Sequence, residues 1–532
     1  MQKRIAYDRT TAHEQLARLK EKPFDLTTLD EASFAKRMQQ YHCSSSYFSL
    51  HYWSQLLNDE VLTALQSLAD ECALVGQFQE MKKGGVMNHV EGVESEKRRV
   101  LHTACRDIFV EQPCNEEATD QAVRELSKLK LFLEEIEGGQ LCNGKGESFT
   151  TLIHVGIGGS DLGPHSICEA LKAYSRPGRK VFFLSNVDPD DAAAVLRQVD
   201  LPRSLVAVVS KSGTTLETLT NEEMVRKALQ AAGLDPREHC VSITGEGSPM
   251  DAPKRYRRSF YMYDYVGGRY SSTSMVGLVT LGFYLGYEQI IEFIEGASNM
   301  DYLCEESDIR VNQALLLALL GIWNHCYLGM PTLAVLPYSQ ALHRFPAHLQ
   351  QLDMESNGKS IDRQAKSIND RSGPVVWGEV GTNGQHAFFQ LLHQGTETVP
   401  CEFIGFRRSQ YGQDMEVDGT TSQQKLIANM LAQSVALARG QDSDNPNRAF
   451  PGNRPSSVLL GERLTPGVMG ALLALYEAKV VFQGFAWNIN SFDQEGVQLG
   501  KVLAGRFLGE MGADKDSGDT LARFILEITG TL

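Results

Sequence analysis

Short apolar runs rich in Val, Ile and Phe recur along the chain with helix-length stretches between them. Leu152–Val155, Val181–Leu184, Leu205–Val209 and Val241–Ile243 form one series; Thr332–Leu336, Val375–Trp377 and Glu402–Ile404 form a second. Successive parallel strands need crossover connections, and helices supply them while covering both faces of the sheet. The pattern therefore predicts an α/β fold with a doubly wound parallel sheet and a second α/β unit of the same kind. Ahead of the first series, Leu56, Leu57, Val61, Leu62, Leu65, Leu68 and Ala69 recur at helical spacing, so the N-terminal region reads as helical. A long helical run is expected from about Asp308 to Tyr327, and Thr465-Pro466-Gly467 fits the start of another, leading into Val468–Phe482. Between the two, the turn formers of Gly440–Arg448 and Pro451–Pro455 read as a surface excursion, and the tail after Lys501 reads as helical.

A chain of 532 residues can hold about two to four domains. Its 51 basic residues against 66 acidic ones leave a net charge of -15. Without a run of Lys or Arg, that field repels nucleic acid and anionic lipid, so an anionic ligand would need a small focused pocket. The apolar stretches Ala314–Trp323 and Met275–Tyr287 are too short to cross a bilayer and read as buried core helices. The start, Met1-Gln2-Lys3-Arg4-Ile5-Ala6-Tyr7-Asp8, lacks the apolar region of a secretory signal, and the ten cysteines form no CxxC pair. A reducing cytoplasm is the expected compartment, with no membrane partner and no zinc cluster.

Two loops are candidates for holding a phosphate. His154–Pro164 runs from a strand through Gly156, Gly158 and Gly159 into a helix, where backbone N–H groups and the helix dipole can face an anion. With Asp161 in place of a third glycine it fails as a dinucleotide fingerprint, and it equally fits a tight strand–helix turn without a ligand. Val209–Thr218 is the stronger case. Ser210, Ser212, Thr214 and Thr215 with Lys211 cluster around Gly213 at a helix start, more hydroxyls than a helix cap needs. Gly139–Gly146 imitates a nucleotide P-loop, but Gly146 replaces the required Ser or Thr and the run precedes a strand; it reads as a loop.

Candidates for chemistry are individually less specific. Arg269 follows Gly267-Gly268, which leaves its guanidinium room to approach a ligand; a structural pairing with Asp264 fits equally well. Gln350–Lys359 carries Asp353 and Glu355, either of which could act as a general base, although such charged segments ordinarily form solvated loops. His386 lies in the Gly-rich run Gly381–Ala387, and Lys501 follows a loop-to-helix start in Ser491–Lys501.

Taken in this order and at these separations, the six segments resemble the motifs of the phosphoglucose isomerase family over roughly residues 80 to 505. The resemblance implies two sugar isomerase (SIS) domains, at 111–290 and 291–500, with a helical N-terminal region at 1–110 and a helical C-terminal arm at 501–532. It also implies a homodimer with active sites shared between subunits. The implied activity is reversible isomerisation of glucose 6-phosphate and fructose 6-phosphate, in glycolysis and gluconeogenesis, without metal or cofactor. By the same resemblance, Ser160, Ser210, Lys211, Ser212 and Thr215 hold the phosphate, with Lys211 acting mainly through its backbone N–H. Glu355 is the base, and His386, from the neighbouring subunit, opens the ring with Lys501. Arg269 and Gly268 flank the enediolate, while Gln351 and Gln494 bind hydroxyls.

The chain departs from the family pattern at Gln498, commonly Glu, and across Val93–Arg98. Ser212-Gly213 points to a bacterial type. A phosphosugar sensor would not need Glu355, His386 and Lys501 together. A metal-dependent isomerase would need clustered His and carboxylate ligands, which do not appear at metal-site spacing. The amidotransferase that shares the sugar domain needs an N-terminal cysteine, where this chain has Gln2 after Met1.

Overall fold

The first sheet has five parallel strands: Thr151–Val155, Lys180–Leu184, Ser204–Val209, Cys240–Thr244 and Arg258–Tyr261. The first, third and fourth are buried along their whole length, as two-sided helix cover requires. Lys180–Leu184 lies on one side of Thr151–Val155 and Ser204–Val209 on the other, so the winding reverses between the last two. A crevice opens at the carboxyl ends of strands on either side of such a reversal. Those ends carry Gly156–Ser160 and Ser210–Thr215. The topology thus brings both candidate phosphate loops to one place.

The second sheet repeats this winding with Thr332–Pro337, Val375–Trp377, Cys401–Phe406 and Ser456–Gly461. The N-terminal region, mainly helical, also contributes to it. The hairpin His42–Ser44 and Phe48–His51 adds antiparallel to Ser456–Gly461. Helix Asp59–Glu71 takes the expected apolar face inward, and Asn58 caps its N-terminus through Val61 N–H. Met275–Leu285 is buried at every residue, as expected of a core helix. Pro466–Ala486 is long and apolar enough to cross a membrane, but it lies buried in the protein. On it, Glu477 accepts from Arg106 Nη1 at 2.6 Å, while Asp301 takes both Nε and Nη2 of the same guanidinium. This fully buried charge group ties three helical segments together.

The computed structural model describes residues 5–368, 370–512 and 519–531. Residues up to Ser491 form one unit and those from Phe492 a second. In the latter, Gln498–Met511 and Thr520–Thr529 are helices, and Asp519 caps the second through Ala522 N–H at 3.1 Å. Met1–Arg4 of the leader reading, and residues 513–518 and 532 of the expected arm, lie outside the described residues.

Candidate active site

Ser210 is buried where its strand ends, and its hydroxyl meets Thr215 Oγ1 at 2.8 Å across the turn. Gly213 takes φ +67° inside that turn, a conformation L side chains rarely adopt. Helix Leu216–Ala231 starts immediately after Thr215, whose side chain does not cap it. The first N–H groups are left facing the turn, with exposed Ser212 and Thr214 beside them. This is a concave set of donors at a positive helix end, open to solvent. The Lys211 ammonium points elsewhere, donating to the carbonyls of Asp264 and Val266 at 2.8 and 3.0 Å. Burial, then the neighbouring Arg98, pulls it down to about 8 against the attraction of Asp264. Only the backbone of Lys211 is thus free for the turn.

The glycine loop reaches the chemistry through backbone contact. A Cβ on Gly159 would stand 2.3 Å from the carbonyl carbon of Gly268, so only glycine lets the two chains approach this closely. Ser271 Oγ spans the junction, donating to Gly268 O at 2.7 Å and standing 3.4 Å from Gly159 O. Ser160 is half-buried on the same loop, and a Cβ on Gly158 would lie 3.4 Å from the Gln351 amide nitrogen. Gly158, Gly159, Ser160, Gly268 and Gln351 therefore form one wall.

Gln350–Lys359, read locally as a solvated loop, is instead helical through Asn357. Phe345–Gln350 continues into a π turn, Gln351–Glu355, a wider turn that is frequent at functional sites. Leu349 and Leu352 turn inward and hold the segment against the protein. Glu355 emerges at its end with its side chain 20% exposed. Its Oε2 lies 3.1 Å from Nη1 of Arg269, which is 3% exposed. The contact is an ion pair without hydrogen-bond alignment, because Oε2 finds no aligned donor among the described residues. A lone pair therefore remains for an incoming proton. Asp264, the other partner considered for Arg269, is exposed and pairs with Arg98 and Lys211 instead. Arg269 Nε donates to Ser356 Oγ and Nη2 to the Ser491 carbonyl, both at 2.7 Å.

His386 caps the short helix Gly381–Gln385, exposed, and its ring makes no hydrogen bond among the described residues. Gln494 and Lys501 belong to the C-terminal unit; Lys501 is exposed on helix Gln498–Met511. Sequence reasoning gave no role to Ser356, Tyr270 or Ser491. The signal available was a hydroxyl directly after the candidate base. Among the described residues, no group of three or more His, Cys, Asp and Glu is placed to hold a metal ion.

The phosphoglucose isomerase family model matches residues 51–521. The chain belongs to the phosphoglucose isomerase family. It is 56% identical over 507 residues to a glucose-6-phosphate isomerase of Desulfotalea psychrophila, covering 95% of each chain. It is 51% identical to that of Protochlamydia amoebophila, over 94% of this chain and 92% of the relative. A crystal structure of a glucose-6-phosphate isomerase from Chlamydia trachomatis superposes with TM-score 0.94 at 46% identity, covering 99% of this chain and 100% of that one.

The two departures from the phosphoglucose isomerase pattern have local explanations. In Val93–Arg98, Ser95 Oγ accepts from Val90 N–H and Glu96 pairs with Arg98 at 2.6 Å, so the altered turn satisfies its own polar groups. Gln498 begins helix Gln498–Met511 and is exposed, where a neutral side chain forgoes only a weak dipole interaction.

Proposed function

We propose that this chain interconverts glucose 6-phosphate and fructose 6-phosphate through an enediolate, in glycolysis and gluconeogenesis, as its family membership implies. The observation that carries the reading is the Glu355 carboxylate set 3.1 Å from a buried guanidinium, beside a glycine wall and a hydroxyl loop at a sheet reversal. The phosphate sits on Ser160, Ser210, Ser212, Thr215 and the Lys211 N–H, anchoring one end of the sugar at the start of helix Leu216–Ala231. Glu355 takes the proton from C2 of the open aldose and returns it to C1 while the hydroxyl proton passes from O2 to O1, so the reaction has no net proton or electron change. Negative charge builds on the C1–C2 oxygens between the two transfers. Arg269 meets it as a cation that cannot lose its proton, beside the Gly268 backbone. Gln351 and Gln494 bind sugar hydroxyls, and His386 and Lys501 open the ring.

In the same reading the site is completed by a second copy of the chain, which supplies His386. The solvent-facing position of this ring supports that, and so do Leu499, Leu521, Phe524 and Ile528, apolar side chains exposed on the C-terminal unit. The enzyme works in the cytoplasm, with sugar isomerase domains at 111–290 and 291–500. The test is a coupled assay of purified protein on fructose 6-phosphate with excess chelator. Sustained glucose 6-phosphate formation is expected; tight binding without turnover would make the chain a sensor instead.

A further inference from the structure

We propose that Ser356 is a positioning residue that registers the Arg269 guanidinium against Glu355, and that the Tyr270 hydroxyl holds Ser356 in place. This inference rests on the reading of Glu355 and Arg269 given above.

A cation that must meet charge developing on the substrate contributes only if it is already fixed where that charge appears. An arginine side chain is long and has many rotamers, so the fixing has to come from its neighbours. Nη2 donates to the Ser491 carbonyl and Nε to Ser356 Oγ, two bonds from different nitrogens that together fix the orientation of the planar guanidinium. Nη1, the remaining nitrogen, is the one that faces Glu355. Ser356 follows Glu355 directly, so consecutive residues place both the base and the hydroxyl that aligns its cation. The π turn Gln351–Glu355 ends where this pair begins.

The Ser356 hydroxyl is used in an unusual way. A serine inside a helix ordinarily bonds back to the carbonyl of the preceding turn or points to solvent. Ser356 is fully buried, and its Oγ meets Arg269 Nε at 2.7 Å and Tyr270 Oη at 3.0 Å. One hydroxyl can accept from the guanidinium and share a proton with the phenol at the same time. Tyr270 is buried in turn, its ring tilted against His102 at 4.8 Å between centroids. The chain of contacts therefore runs from the protein interior through Tyr270 and Ser356 to the guanidinium. A serine that only satisfied a buried charge would affect stability. One that aims the cation must affect turnover apart from substrate affinity.

The experiment compares S356A, Y270F and R269K with the parent protein by Tm, by kcat and KM for fructose 6-phosphate, and by affinity for a phosphorylated aldonohydroxamate. That probe carries a planar anionic group where the enediolate forms. S356A is expected to lower kcat roughly tenfold to hundredfold, the worth of a hydrogen bond to a charged group, with KM within about threefold. Hydroxamate affinity should fall by the same factor as kcat, since both report the charged intermediate. Y270F keeps the ring against His102 and should lower kcat by about threefold to tenfold; it decides the matter if S356A does not fold. A folded S356A with kcat within threefold of the parent overturns the proposal, as does a Y270F with unchanged kcat and hydroxamate affinity. If R269K keeps full turnover, the assignment of Arg269 fails and this inference with it. If R269K is crippled while S356A is not, only the role of Ser356 fails.

Discussion

Asp353 and Glu355 lie two residues apart in one π turn, yet their environments differ. Glu355 opens to the crevice, whereas Asp353 is buried with Oδ1 unpartnered among the described residues. Burial pushes the Asp353 carboxyl up to about 6, against the pull of Lys479, which is bonded to Glu402 at 2.5 Å. Because the folded carboxyl holds its proton more tightly than the usual 3.8, the folded state binds the extra proton between these values. Its contribution to stability is therefore present below the ordinary value and lost as pH rises through the folded one. Asp353→Asn removes that dependence. Its Tm relative to the parent should rise between about pH 4 and pH 7, by an amount corresponding to at most ~3 kcal/mol. A difference that stays flat with pH would contradict the assignment. Neither fate is legible locally, since Asp-Met-Glu-Ser-Asn-Gly reads as a solvated segment. The neighbours that bury one carboxylate and pair the other come from distant parts of the chain, and only the family resemblance singled out Glu355.

At the scale of elements, the glycine loop and the hydroxyl loop were both readable as turns because each follows a strand and opens a helix, but only the hydroxyl loop carries more polar groups than turning and capping require. What the loops touch was not readable. The packing of Gly159 on Gly268 joins segments far apart in sequence and leaves no mark except two glycines. Gly159→Ala would place its Cβ against backbone, which cannot yield as a flexible side chain would. We expect turnover to fall more than about tenfold, with destabilisation of ~1–3 kcal/mol; unchanged kinetics would show that the wall is not needed. Thr215 provides a contrasting test. Its hydroxyl bonds Ser210 and does not cap helix Leu216–Ala231. Thr215→Ala should therefore spare the ~1 kcal/mol that loss of a true cap costs, while raising KM for fructose 6-phosphate roughly tenfold. A large fall in Tm with normal KM would reverse that reading.

At the scale of the whole molecule, the rhythm of apolar runs predicted two α/β units, and both sheets have the expected parallel winding, the second with an antiparallel hairpin added. The strands that escaped notice have physical reasons. Arg258–Tyr261 is an edge strand with one fully buried residue, so its pattern is mostly polar. The hairpin at His42–His51 alternates buried and open positions over only a few residues, inside a region dominated by helical spacing. Ser456–Gly461 follows the turn-rich excursion and opens on two serines, which masks a fully buried strand.

In the proposed reaction Glu355 carries a proton between C1 and C2 of a phosphosugar through an enediolate. The most direct measurement is turnover of fructose 6-phosphate in heavy water, with product followed by NMR for the parent protein and for Glu355→Gln. A carboxylic acid one-fifth exposed to solvent can exchange its proton during the life of the intermediate. Deuterium should therefore appear at C2 of glucose 6-phosphate in the parent, while the variant, with fold and phosphate binding intact, turns over several orders of magnitude more slowly. Isomerisation with no deuterium incorporated at C2, or near-parent turnover by Glu355→Gln, would rule out this role for Glu355.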